Sequence, residues 1–325
     1  MTRLRNKDKP AAIRVALPFA FRHWRTYRGL AAFIVTLLLG ATVADLFMPL
    51  FAGRLVDAVT QGAASEAARQ DALFAFLGIV ALGVGSMVMR YFGLQAIVPF
   101  TLSIMSDIAR EAFGKVQRFS TDWHANTFAG STVRKVTRGM WAVDVLNDTL
   151  MMSLFPSFVV LVGSMVILGL HWPVLGVVIG CGAVAYIAMT AWLSVNYIGP
   201  AARLSNAWDS RIGGALADAI TCNTVVKSFG NEEREDARLS GVVGKWRKRV
   251  RRTWRRYTIV STAQLVLLWI MRGGVVGGAL LFWMGGRATP GDVAYVLSMS
   301  FIIHGYLRDV GQQARPQHDQ DENDR

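Results

Sequence analysis

Apolar positions along the chain gather into six long runs separated by polar stretches. The runs are Leu30–Phe51, Leu73–Pro99, Leu150–Leu170, Pro173–Tyr197, Tyr257–Met284 and Val293–Val310. A helix needs about 20 predominantly apolar residues to cross the hydrocarbon of a bilayer, and each run supplies nearly that or more. The pattern therefore predicts an all-α integral membrane protein with six transmembrane helices. His171-Trp172-Pro173 reads as a tight turn between the third and fourth runs, with Trp172 suited to the membrane interface. Two connections are long, 101–147 and 198–256. Within them, Ile104–Phe119 and Arg203–Trp246 carry apolar residues at helical spacing among charges, the mark of amphipathic helices. The spans are thus expected to continue as helical extensions beyond the bilayer. Two dozen residues down and two dozen back would reach about 35 Å at the rise of an α-helix.

Composition agrees: 53% of residues are hydrophobic and 18% charged, against about 45–50% and 25% in a soluble domain. The net charge is +13, and where it falls fixes an orientation. Lys and Arg number eight up to Arg28, two in 52–72, six in 101–147, none in the third turn, thirteen in 198–256 and one, Arg287, in 285–291. Positive residues favour the cytoplasmic side, so both termini and both long connections are expected there, with the three short loops outside. The basic N-terminus lacks the short apolar core and cleavage site of a signal peptide, so the first run is expected to stay as an anchor. Residues 1–28 then form a basic lead-in or elbow, 29–312 the membrane domain and 313–325 a polar, disordered tail. The placement expected is the bacterial inner membrane.

Several chemistries find no support. Cys181 and Cys222 belong to no C-x-x-C pair. The five histidines share no metal-ligand spacing, and no nucleophile motif occurs. The chain contains no G-x-x-x-x-G-K-[ST] phosphate loop, so no cofactor and no ATP hydrolysis are expected on it alone. Gly273–Gly278 lies inside an apolar run without a following Lys and reads as a close-packing surface. The run Lys245–Arg256 holds eight Lys/Arg in twelve residues. Beside a span, it fits anionic lipid headgroups and topology setting better than nucleic acid.

Ionisable groups within spans are costly and point to function. Asp45, Arg90, Arg272, His304 and Arg308 are such groups. Arg90 reads as snorkelling to the inner interface, and Asp45 as a cavity candidate or the partner of an Arg. Arg272 lies twelve residues before Met284 and His304 twelve after Asp292, each about 18 Å, and Arg308 follows His304 by one turn. Together they suggest a polar cavity for an anionic or amphipathic substrate.

Runs in three places resemble the transmembrane domain of ABC exporters. Asn223–Glu233 (NTVVKSFGNEE) is similar to a stretch of the second intracellular loop. Phe119–His124, Thr127–Thr132 and Asp144 resemble parts of the first, and Thr289–Val293 the entry to the sixth span. The resemblance, which covers about 20–312, implies a homodimer or heterodimer in which twelve helices enclose a pathway. It further implies coupling helices at the loop tips that press on a nucleotide-binding ATPase domain or subunit carrying Mg-ATP. Those tips would be Thr121–Thr127, with Thr121, Asp122, Trp123 and His124, and Asp209–Ala217, with Asp209, Ser210, Arg211 and Gly213. The ATPase would come from a separate chain; alternatively, the chain is a truncated or frameshifted remnant without transport of its own.

Overall fold

The computed structural model describes residues 18–19, 21–62, 64–126 and 129–313, without the side chains of 125–131, 134–135 and 310–313. Expectations for 1–17, for Thr127-Phe128 and for the tail 314–325 lie outside the described residues. Among the described residues every regular element is helical. Helix α1 spans Arg28–Thr60, α2 Glu66–Gln117, α3 Thr121–Asn126, α4 Ala129–Asp148, α5 Phe155–His171 and α6 Pro173–Leu193. There follow α7 Gly199–Thr221, α8 Asn223–Ser228, α9 Glu232–Met284 and α10 Pro290–Gln313. Two π-helical turns, Thr149–Leu154 and Ser194–Ile198, precede α5 and α7. Each stands just before a proline, Pro156 or Pro200, whose missing N–H leaves an upstream carbonyl unpaired and favours a widened turn.

Five helical stretches are long and apolar enough to cross a membrane: Arg28–Thr60, Glu66–Gln117, Val136–His171, Pro173–Thr221 and Glu232–Met284. The sixth expected span forms α10, 24 residues long, which polar residues including Asp292, His304 and Arg308 leave less apolar than those five. At 52 and 53 residues, α2 and α9 are each about 80 Å long, far beyond a hydrocarbon core of about 30 Å. Their polar ends must therefore stand outside the bilayer.

The sequence marks the ends of these rods. Ser65 caps α2, its hydroxyl accepting the Ala68 N–H at 3.3 Å, and Glu66 follows in the first turn. Trp172 adopts an extended conformation and Pro173 opens α6, as expected for that turn. Glu232, Glu233 and Glu235 crowd the first turn of α9, where negative charge opposes the helix dipole.

The helices fall into two units. The first holds the described residues up to Gly176 and Val275–Val310. Its core joins Ile34 and Leu38 of α1, Ala96, Ile97, Phe100 and Ile104 of α2, Val143 of α4 and Met151 of the first π turn. The lead-in is tied onto this core: Trp24 Nε1 donates to Asn147 at 2.9 Å, Tyr27 donates to Asp107 at 2.7 Å, and Arg22 pairs with Glu111 at 3.0 Å. At the other end of the unit, Asp57 of α1 accepts the Gly291 N–H at 2.7 Å and the Thr289 hydroxyl at 2.8 Å. Thr289 and Asp292 cap one another reciprocally there. Gly53 lets the α10 backbone come close; a Cβ at that position would stand 2.7 Å from the Gly291 carbonyl.

The second unit runs from Val177 to Gly274. Gln264 of α9 donates to Thr190 of α6 at 3.0 Å, and Leu268, Ile179 and Ala183 are buried within the unit.

Candidate functional site

Polar residues meet inside the apolar part of the first unit. Asp45 on α1 accepts three hydrogen bonds: from the Ser86 hydroxyl at 2.7 Å, from Arg90 Nη2 at 2.7 Å and from the Tyr306 hydroxyl at 2.8 Å. Arg90 also donates to the Tyr306 hydroxyl at 3.1 Å. Ser86 and Arg90 stand four residues apart on α2, so both face α1. The expected snorkelling of Arg90 is therefore corrected. A carboxylate within reach is a better partner for its guanidinium than the distant interface, because it neutralises the charge where it stands.

Asp45, Arg90 and Tyr306 of this cluster line a cavity of about 320 Å³. Asp309, Gly305, Ser153, Ser157 and Phe301 complete the part of its lining that matters chemically. Ser157 donates to the Tyr306 carbonyl at 3.0 Å, fixing α5 to α10. Ser153 lies in the first π turn, is 3% exposed, and its hydroxyl has no hydrogen-bond partner among the described residues. Ser153 thus joins the cavity lining from the first π turn.

Asp45 is the one member of the expected substrate set that lines this cavity. On α10 the lining face carries Ile302, Gly305, Tyr306 and Asp309. His304 and Arg308 are not among the residues that line it. His304 is half-buried and Arg308 exposed. Arg272 belongs to the second unit, where its guanidinium stands 5.0 Å from the centre of the Trp269 ring. The charged residues that line this cavity are Arg90, Asp45 and Asp309; Arg272, His304 and Arg308 are not among its lining. Ser86, Tyr306, Ser153 and Ser157 were not singled out in the sequence. Hydroxyls inside spans are ordinary packing residues, and only the i, i+4 spacing of Ser86 and Arg90 hinted at a shared partner for them.

The segment expected at the first tip, Thr121–Thr127, falls on helix α3 up to Asn126. Helix α3 is a six-residue helix whose start is capped by Ser120, which accepts the Trp123 N–H at 3.2 Å. His124 Nε2 lies 3.1 Å from the Val116 carbonyl, and Phe119 packs on Trp123 with ring centres 4.5 Å apart. Thr121 and Asp122 face outward. These contacts pin the short helix to the end of α2.

The segment expected at the second tip, Asp209–Ala217, falls inside a longer helix. Asp209, Ser210, Arg211 and Gly213 sit within the unbroken helix α7, so no separate helix exists at 209–217. Asp209, twelve residues before the end of α7, is about 18 Å from it. These residues tie the two arms together instead: Trp246 Nε1 donates to Asp209, and Trp208 is flanked by Arg211 and Lys245 at 4.5 and 5.9 Å. The chain reverses after α8. Gly230 takes a left-handed φ of 60°, the Asn231 N–H reaches the Val226 carbonyl at 3.1 Å, and that of Gly230 reaches Lys227 at 3.2 Å. Around this turn Ile220, Val225 and Phe229 stand 75%, 57% and 74% exposed. Three large apolar side chains thus stand largely exposed around this turn.

Comparison with known proteins places this arrangement. Residues 31–306 match the model of the ABC transporter transmembrane region. An ATM1-type heavy metal exporter of Novosphingobium aromaticivorans is 25% identical over 270 residues, covering 81% of this chain and 43% of its own length. The solved structure of a bacterial Atm1-family ABC exporter with ATP bound superposes with a TM-score of 0.76 at 19% identity, over 88% of this chain and 50% of that one. The chain thus spans about half the length of these relatives. Its six helical runs, two reversing arms and family match agree: the protein belongs to the ABC transporter transmembrane region family.

Proposed function

We propose that the chain forms the substrate pathway of an ATP-driven exporter. It works as a homodimer or heterodimer, with 29–312 as its membrane domain. A nucleotide-binding domain or subunit supplies Mg-ATP and docks on the two tips, α3 and the α7–α8 turn. The observation that carries this reading is the exposed apolar set Ile220, Val225 and Phe229 on an arm outside the hydrocarbon. A surface of that kind marks a docking site. The tie between Asp209 and Trp246 stiffens the arm, which suits it to transmit a push from the tip to the spans. The solute would pass the cavity at Asp45. Its lining carries both signs of charge, Arg90 with Asp45 and Asp309, which suits a polar solute bearing an amine and a carboxylate. Among the described residues no three His, Cys, Asp or Glu gather in a way that could hold a bare metal ion.

The tips can meet an ATPase only if they face the cytosol of the bacterial cell. Single cysteines at Gly62 and Ala288, in a background with Cys181 and Cys222 replaced by Ser, should react with an impermeant thiol reagent on intact cells. A cysteine at Ser240 should react only after the membrane is opened. The reverse pattern would turn the tips away from ATP and refute the proposal.

A further inference from the structure

In the second unit Arg249, Arg252 and Arg256 of α9 converge with Pro200, Ala201 and Leu204 of α7 on a cavity of about 210 Å³. No carboxylate lines it. Among the described residues none of the three arginines belongs to an ion pair. Arg256 is held in place: its guanidinium stacks 4.6 Å from the Tyr197 ring centre and donates to the Tyr197 carbonyl. Above this cavity runs an apolar groove of about 540 Å³ between α6 and α9, with Met189 on one side and Ile259, Ala263, Val266 and Ile270 on the other. The spacing of 249, 252, 256, 259, 263, 266 and 270 alternates three and four residues. Cationic pocket and apolar groove therefore share one face of one helix. From Arg256 to Ile270 the groove extends about 21 Å.

We propose that this face binds one anionic phospholipid, its phosphate among Arg249, Arg252 and Arg256 and an acyl chain along the groove. Guanidinium groups match phosphate oxygens in pairs. The lining changes from cationic to apolar at Tyr257, where the apolar run begins, as a lipid's own polarity changes from headgroup to chain. A free phosphate would use the pocket and leave the groove unused. The inference needs only that α9 crosses the bilayer; it is independent of transport and of any ATPase.

The test uses the full chain purified in detergent, stripped of lipid and mixed with phosphatidylglycerol or phosphatidylcholine, with retained lipid read by native mass spectrometry. Wild type should retain one phosphatidylglycerol at least tenfold over phosphatidylcholine. The triple variant Arg249→Gln, Arg252→Gln, Arg256→Gln should lose that preference. Arg247→Gln, Arg251→Gln, Arg255→Gln removes the same charge from the exposed remainder of the helix and should keep it. Ala263→Trp, which fills the groove and spares every arginine, should weaken retention without touching the charge. Equal losses in the two triple variants would reduce the effect to diffuse charge and overturn the site. So would retention by the first triple variant, displacement of the lipid by millimolar inorganic phosphate, or photo-crosslinking from position 263 to a second copy of the chain rather than to lipid.

Discussion

Asp45→Ala is expected to destabilise the protein by about 2.5–3.5 kcal/mol, the cost of an uncompensated cation within a span. The substitution removes the carboxylate that accepts Arg90, Ser86 and Tyr306 at once. The guanidinium would keep a single neutral partner, the Tyr306 hydroxyl. Thermal unfolding in detergent, followed by a thiol-reactive dye, measures the loss. Adding Arg90→Met should restore most of it, because an apolar pair of similar volume needs no compensation. If the double variant is no more stable than Asp45→Ala, the cost lies in packing around α1 and not in the stranded charge.

Phe229→Ala should weaken docking of an exporter ATPase domain by roughly 30-fold, the loss typical of an exposed aromatic anchor worth about 2 kcal/mol at an interface. Phe229 is 74% exposed and lies against the turn that Gly230 creates, so its truncation leaves no hole in the fold. Trp123→Ala at the first tip should act differently. Trp123 packs on Phe119, so its loss would loosen α3 and reduce coupling more than affinity. Binding is measured with the chain in nanodiscs and a fluorescent ATPase domain, and coupling as transport per ATP hydrolysed. Unchanged docking in Phe229→Ala would remove the second tip from the interface.

Much of this architecture is legible in the residues because span length and charge asymmetry are local properties. Four of the six apolar runs fall within a single helix, Leu150–Leu170 and Pro173–Tyr197 each pair a helix with a π turn, and the His171-Trp172-Pro173 turn forms where proline and an extended residue require it. Two features depend on tertiary register instead. Arg90 finds Asp45 only because α1 and α2 pack antiparallel with Ser86 opposite the carboxylate, which no single run reveals. The second tip was expected at 209–217, yet helix continues to Thr221 because no proline interrupts it after Pro200. Gly213 and Gly214 weaken a helix by about 1 kcal/mol each without breaking it. The true reversal is written in Gly230-Asn231, a C-capping signal that the family-like run around it obscured. On α10, depth along the helix suggested His304 and Arg308, while rotation about its axis selects Tyr306 and Asp309.

Alternating access of the cavity is the property on which the account stands, and position 305 reports it. Gly305 lines the cavity, and a Cβ there meets nothing within 4 Å, so a cysteine fits without strain. With Cys181 and Cys222 replaced by Ser, Gly305→Cys would be paired with an exporter ATPase domain in inside-out and right-side-out vesicles. An impermeant thiol reagent should label it from the cytoplasmic side without nucleotide. Mg-ATP with vanadate should lower that labelling at least tenfold and open the position to reagent from the outside. Labelling that ATP leaves unchanged, or a cysteine that no aqueous reagent reaches from either side, would contradict the account.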